Sequence, residues 1–272
     1  MAKIRGDLCK MNIIGLVPTM GALHEGHLSL IRKAKKDCNI VIASIFVNPL
    51  QFGPKEDFKK YPRDLEKDSE FLKLAGCDIL FSPQSGDILG KDLGTSVHVE
   101  GLQSVMCGAS RPGHFDGVCT IVLKLFNIVR PGNAYFGLKD YQQFVIIKKM
   151  TDDLDMPVNI IGCPIIRDRN GLALSSRNAY LSKDDYTKAV RINKALREGS
   201  RLAGLKKLKA GEITALLKKE YLKGMKTDYL GFYDADMLSL FDEKKKPSGK
   251  LVLAGAFFVG NTRLIDNIII RI

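Results

Sequence analysis

Short, almost wholly apolar runs that end on turn residues set the strongest constraint on this chain. Residues 12–17 (NIIGLV) close at Pro18, residues 40–47 (IVIASIFV) close at Asn48 and Pro49, and residues 79–81 form a third run. Runs without a polar face suit strands covered on both sides, as in a parallel sheet. Between them lie segments of helical period at 28–34, 65–74 and 118–128, the second preceded by Asp64 as a candidate cap. A strand at 134–136, a helix at 141–154 and a strand at 158–162 extend the alternation. The pattern predicts an α/β fold, a Rossmann-like doubly wound parallel sheet with right-handed crossovers, over residues 1–165. Beyond Ile166 the character changes: helical patterns at 183–205 and 213–222 give way to β-rich runs at 229–233, 251–259 and 263–272. Residues 166–272 therefore read as a smaller α+β domain, expected to cover the active site.

Composition narrows the class. With 272 residues, 45% apolar and 26% charged, the chain is too apolar for a disordered protein and long enough for one or two domains. No run reaches the ~18 apolar residues of a membrane span. The opening MAKIRGDLCK is broken by charge, unlike a secretory leader, so a cytoplasmic location without membrane attachment is expected. The six cysteines (Cys9, Cys38, Cys77, Cys107, Cys119, Cys163) include no CxxC pair, which favours buried thiols over zinc ligands or disulfides. The net charge of +12 is uneven, since residues 178–272 carry 19 basic and 11 acidic side chains. That segment lacks the interleaved aromatics of a single-strand groove, so a solvated basic face is expected rather than a nucleic-acid partner. Attraction for an anionic small molecule is also compatible.

Two segments carry the chemistry. Residues 18–27 (PTMGALHEGH) follow the first strand and open the first helix, at the carboxyl edge where α/β sheets bind ligands. His24 and His27 fall on one side of a helical turn, Gly26 permits close backbone approach, and helix N–H groups favour phosphate. Two histidines at a helix start also serve as caps or surface residues. A zinc site is disfavoured, because the i, i+4 pair and third ligand are missing. The second segment, residues 167–178 (RDRNGLALSSRN), offers hydroxyls beside a guanidinium to phosphate oxygens, or is a hydroxyl-rich linker.

The pair resembles the nucleotidyltransferase superfamily marked by HIGH-type and KMSKS-type elements. Residues 44–52 (SIFVNPLQF), 61–63 (YPR), 136–143 (FGLKDYQQ), 175–178 (SSRN) and 262–267 (TRLIDN) narrow the likeness to the pantothenate synthetase family of pantoate–β-alanine ligases. That resemblance implies ATP-dependent condensation of pantoate with β-alanine to pantothenate through a pantoyl adenylate, releasing AMP and pyrophosphate. Rival expectations are a related adenylate-forming enzyme with another acid, and a basic RNA-binding module.

The resemblance assigns ATP to Met20, Gly21, Ala22, Leu23, His24, Glu25, Gly26 and His27, with a proton-donor role at His27. It adds Gly137, Leu138, Lys139 and Asp140, Lys139 reaching the triphosphate and Asp140 the ribose. Ile166 would meet adenine, and Leu174, Ser175, Ser176 and Arg177 would close on the phosphates. Catalysis is assigned to His27, His24 and Lys139, and pantoate and β-alanine to Gln51 and Gln143. ATP and Mg2+ are the expected co-substrate and cofactor and a homodimer the expected assembly. The metal ligands stay open: Asp64 and Asp68, one helical turn apart, could meet magnesium or form a solvated face. Arg111 and His114 form a further family-like segment able to bind an anion. Two departures stand out: Leu138 where the family commonly has Glu, and Leu174 where it commonly has Met.

Overall fold

The structure, a computed structural model, describes residues 13–54 and 56–272. It divides into two compact units. The first comprises residues up to Gln103, Arg111–Leu138 and Gln143–Ile165; the second comprises Ser104–Ser110, Lys139–Gln142 and Ile166–Ile272. Two short segments that precede residue 166 thus belong with the carboxyl-terminal part, a division that no composition shift marks. Cys9 lies outside the described residues.

In the first unit, strands β1 (Ile14–Thr19), β2 (Ile40–Ile45), β3 (Ile79–Phe81), β4 (Asn133–Gly137) and β5 (Asn159–Cys163) form one sheet in the order β3-β2-β1-β4-β5. Every pairing is parallel. This is the strand order of a doubly wound half, with its switch point between β1 and β4, where ligands enter from the carboxyl ends. Leu16, Val17, Val41 and Ala43 are fully buried, which explains why these strands show no alternation. β1 runs two residues past the expected stop and includes Pro18, paired with Ser44. Pairing with β4 ends at Leu16, so the proline's missing N–H costs no ladder bond on that side.

The connecting helices are α1 (Glu25–Asp37), α2 (Leu65–Ala75), α3 (Ser85–Leu89), α5 (His114–Val129) and α6 (Tyr141–Asp153), with α4 (Met106–Ser110) in the second unit. The short helices α3 and α4 escape sequence reading because five residues show no helical period. Arg130 at the end of α5 takes the left-handed conformation that stops it, and its N–H donates to the Phe126 carbonyl.

The second unit holds an antiparallel sheet, β6 (Lys226–Asp234), β7 (Lys250–Val259) and β8 (Thr262–Arg271), with helices α7 (Lys183–Gly204) and α8 (Ala210–Glu220). Its core joins Ile192 and Leu196 of α7, Ile213 and Leu217 of α8, and Phe232, Leu253 and Phe257 of the sheet. Among the described residues no helix is long and apolar enough to cross a membrane.

Candidate active site

The turn from β1 into α1 is built by internal hydrogen bonds rather than by packing alone. Gly21 (φ +81) and Ala22 (φ +50) both take left-handed backbone conformations, costly for alanine. Asp68 of α2 holds them there: its two carboxylate oxygens accept from the N–H groups of Ala22 (2.9 Å) and Leu23 (2.8 Å). Asp68 is only 2% exposed, so the solvated-face expectation fails for it. A carboxylate this deep needs partners, and two backbone N–H groups supply them. Asp64 likewise is occupied as the α2 cap, accepting from the Lys67 N–H at 3.1 Å.

His24 caps α1, its Nδ1 accepting from the Gly26 N–H at 3.1 Å, and His27 Nδ1 accepts from the His24 N–H at 3.3 Å. The rings lie 4.1 Å apart between centroids. With both Nδ1 atoms accepting, each neutral ring carries its proton on Nε2. The capping role that sequence offered for these histidines is thus carried by Nδ1 of each ring. Glu25 forms an ion pair with Arg32, whose hydrogen bonds hold its carboxyl below the usual range.

After β2, Asn48 folds the chain into the tight turn Pro49–Gln51, its Oδ1 accepting from the Leu50 N–H. Its amide nitrogen donates to Gln51 Oε1 (3.1 Å) and to the Gly117 carbonyl (3.0 Å). Asn48 is 1% exposed and Gln51 9%, so both amides are fixed in orientation. Gln51 Nε2 contacts Met20 Sδ at 3.1 Å, which ties the Gln51 turn to the β1–α1 turn. α5 reaches this turn through Gly117: a Cβ there would meet the Leu50 carbonyl oxygen at 2.3 Å. Asn48 and Gly117 were absent from the site residues expected on sequence grounds, and Asp68 was weighed only as a magnesium ligand or a solvated face. The only local signal is Asn48-Pro49, a turn pair; the other two act across 45 residues or more, beyond any local pattern.

Arg111 does not present a bare cation. Its Nε and Nη2 each donate to Glu56 at 2.6 Å, Nη1 meets His114 Nε2 at 3.0 Å, and Nη2 reaches the Gln51 carbonyl at 3.3 Å. Burial disfavours ionised Glu56, but the bonds and charge of Arg111 outweigh it and hold the carboxyl below its usual range. Gly137 ends β4 beside the switch point, and Leu138 follows. Leu138 packs where a Cβ on Gly162 would stand, 2.7 Å from its Cδ2, next to Phe144. An apolar side chain thus fills a gap against β5.

In the second unit, Lys139 is half-buried and Asp140 exposed. The Lys139 carbonyl accepts from Asn267 Nδ2 at 2.9 Å, and its Nζ makes no ion pair among the described residues. Gln142, the neighbour of the expected Gln143, is 3% exposed and structural: it accepts from the Cys107 N–H and donates to the Val105 carbonyl. Gln143, in the first unit, is half-buried and its amide makes no hydrogen bond among the described residues.

The hydroxyl-rich segment is a braced turn. Arg167 pairs with Ala173, the Leu174 N–H donates to the Ile166 carbonyl, and Arg167 forks onto the buried Asp266 at 2.7 and 2.9 Å. Ser175 caps the turn Ser176–Tyr180, accepting from the Arg177 N–H. Asn178 donates to the Ala173 carbonyl, while its buried Oδ1 has no partner among the described residues. The five cysteines among the described residues are free thiols. Burial drives the thiol of Cys119 up to about 12 and that of Cys163 to about 11.

A parallel sheet of this order, with an N–H-rich turn and two imidazole donors at its carboxyl edge, defines the α/β class that handles phosphate esters. A family model described as pantoate-beta-alanine ligase matches residues 1–269. The chain is 51% identical to the pantothenate synthetase of Moorella thermoacetica over 261 residues, covering 95% of this chain and 91% of that one. It is 52% identical to that of Thermodesulfovibrio yellowstonii over 264 residues, covering 95% and 92%. Among solved structures, the pantothenate synthetase of Thermus thermophilus superposes with a TM-score of 0.90 at 41% identity, covering 98% and 96%. The Francisella tularensis pantoate-beta-alanine ligase, complexed with beta-gamma ATP and beta-alanine, gives 0.80 at 38% identity, covering 98% and 93%. The chain belongs to the pantoate–β-alanine ligase family, an ATP-using group of ligases.

Proposed function

We propose that this enzyme joins pantoate to β-alanine in two steps on the residues described above. In the first, a pantoate carboxylate oxygen attacks the α-phosphorus of ATP and pyrophosphate leaves, giving pantoyl adenylate. In the second, the neutral amine of β-alanine attacks the acyl carbon, AMP leaves, and the amine gives up a proton. Both partners of the first step are anions, so the protein's task is to hold them together and to meet developing charge with fixed donors.

The observation that carries the reading is the tautomer at the β1–α1 turn. Nδ1 of both histidines is engaged by backbone N–H groups, so His24 and His27 bring Nε2–H to phosphate oxygens, and His27 supplies the proton-donor role. The backbone of residues 20–26, set by Asp68, contributes further N–H groups at the positive end of α1. Lys139 meets the triphosphate, Asp140 the ribose, and Gly137 and Leu138 border the adenosine. The Ile166 backbone, whose carbonyl also accepts from the Leu174 N–H, meets adenine. Ser175, Ser176 and Arg177 meet the phosphates, with Leu174 packing beside them. Gln51 and Gln143 hold pantoate through their amides.

Among the described residues no three His, Cys, Asp or Glu side chains converge as a metal site. Mg2+ fits such a protein as the partner of the triphosphate, since it keeps waters and phosphate oxygens in preference to an all-protein cage. A cytoplasmic homodimer completes the reading, and light scattering tests the assembly. The decisive experiment omits ATP, Mg2+, pantoate or β-alanine in turn from purified enzyme and measures AMP and pantothenate. Pyrophosphate exchange that depends on some other acid and not on pantoate overturns the substrate.

A further inference from the structure

Asn48 and Met20 hold the Gln51 side chain, and a separate pair of residues holds its backbone carbonyl. Asn48 orients the amide, while Arg111 and His114 both donate to the Gln51 backbone carbonyl, at 3.3 and 2.8 Å. The network fixes every proton in it. A carbonyl can only accept, so His114 Nδ1 carries a hydrogen; Arg111 Nη1 can only donate, so Nε2 is the acceptor. His114 is thus a neutral imidazole set in one orientation by a guanidinium. That guanidinium is in turn locked by a two-pronged ion pair to Glu56, with side-chain exposures of 16% and 26%. Four of its donor contacts are committed, and its charge is matched.

We propose that Glu56, Arg111 and His114 are positioning residues for Gln51, a relay that fixes the height of its turn so that the amide meets pantoate, rather than a receptor for a substrate carboxylate. The proposal rests on the reading of Gln51 as a pantoate ligand. A receptor would need an unmatched cation facing the ligand, whereas here a carboxylate already occupies the fork. The relay needs planarity as well as charge, because one guanidinium serves Glu56, His114 and the Gln51 carbonyl together.

That difference separates the two roles by experiment. Arg111→Lys keeps the charge and loses the fork, and Glu56→Gln removes the matching charge and leaves the shape. If the three residues position Gln51, both substitutions raise the pantoate KM on the order of ten-fold, while the ATP KM stays within about two-fold. If Arg111 receives a carboxylate, lysine preserves KM, and Glu56→Gln lowers the KM of pantoate or β-alanine by freeing the cation; either result overturns the proposal. Thermal unfolding accompanies each measurement, and should Arg111→Lys not fold, Glu56→Gln decides alone. Gln51→Ala is the reference: an unchanged pantoate KM there refutes the Gln51 reading itself. Combining Gln51→Ala with Glu56→Gln should add nothing further to the pantoate KM, whereas independent, additive losses show that the relay does not act through Gln51.

Discussion

At the scale of single residues, the proposed function gives each of the two histidines a capping task at Nδ1 and a ligand task at Nε2, and substitutions can separate them. Asparagine at 27 sets a polar atom where Nδ1 stands, and glutamine sets one where Nε2 stands. His27→Asn should therefore keep the α1 cap, with unfolding within about 0.5 kcal/mol of the parent, yet lose most adenylate formation. His27→Gln should lose about 1 kcal/mol of cap while retaining more activity than the asparagine variant. Denaturant unfolding and pantoate-dependent pyrophosphate exchange read the two effects independently. Asp168 offers a pH test. Burial opposes its ionisation, but Tyr186 and the backbone N–H groups of Leu172, Asn170 and Gly171 prevail and lower its pKa from 3.8. A carboxyl depressed in the folded state stabilises above its unfolded value and loses that contribution as pH falls through the folded one. Asp168→Asn should accordingly flatten the fall in stability below about pH 4, measured as Tm against pH; an unchanged acid limb excludes it as a contributor.

Elements meet at two close approaches that a local pattern does not announce. α5 touches the Gln51 turn only because position 117 has no side chain, and the neighbouring atoms are backbone, which cannot swing away. Gly117→Ala should cost about 3 kcal/mol or more and raise the pantoate KM more than the ATP KM, seen by chemical unfolding and steady-state kinetics. α2 likewise fixes the β1–α1 turn through a single carboxylate. Asp68→Asn leaves one acceptor for two N–H donors and turns an amide N–H toward the other. A loss of about 1–3 kcal/mol is expected, with a weaker ATP KM; equal stability and KM would show the turn to be self-supporting. The elements themselves were legible, since α1, α2, α5 and α7 all fall on the helical periods, with ends shifted by a few residues. The joints between them were not, because Gly117 and Asp68 look like an ordinary helix glycine and an ordinary surface acid until a distant segment arrives.

At the scale of the whole molecule, the second unit draws on three stretches of chain. The Cys107 N–H reaches Gln142, Tyr141 donates to the Ala235 carbonyl, Ser110 bonds Asp228, and Asn267 bonds the Lys139 carbonyl. A fragment cut at residue 166 would forfeit the last three and strand Tyr229 and Arg263, which contact Cys107. Hydrogen exchange in β6 and β8 should be markedly faster in such a fragment than in the full chain; equal protection would mean those contacts are dispensable. The sequence by itself determined the parallel sheet, the carboxyl-edge location of the histidine turn and the family, because alternation, burial and motif order are written in consecutive residues. Tertiary structure alone decided which nitrogen of each histidine is spent on the helix, and that Asp68 is a buried clamp. It also decided that Arg111 is matched by Glu56. Those outcomes depend on partners brought together from far along the chain, where geometry and desolvation, not neighbouring residue types, select who bonds to whom.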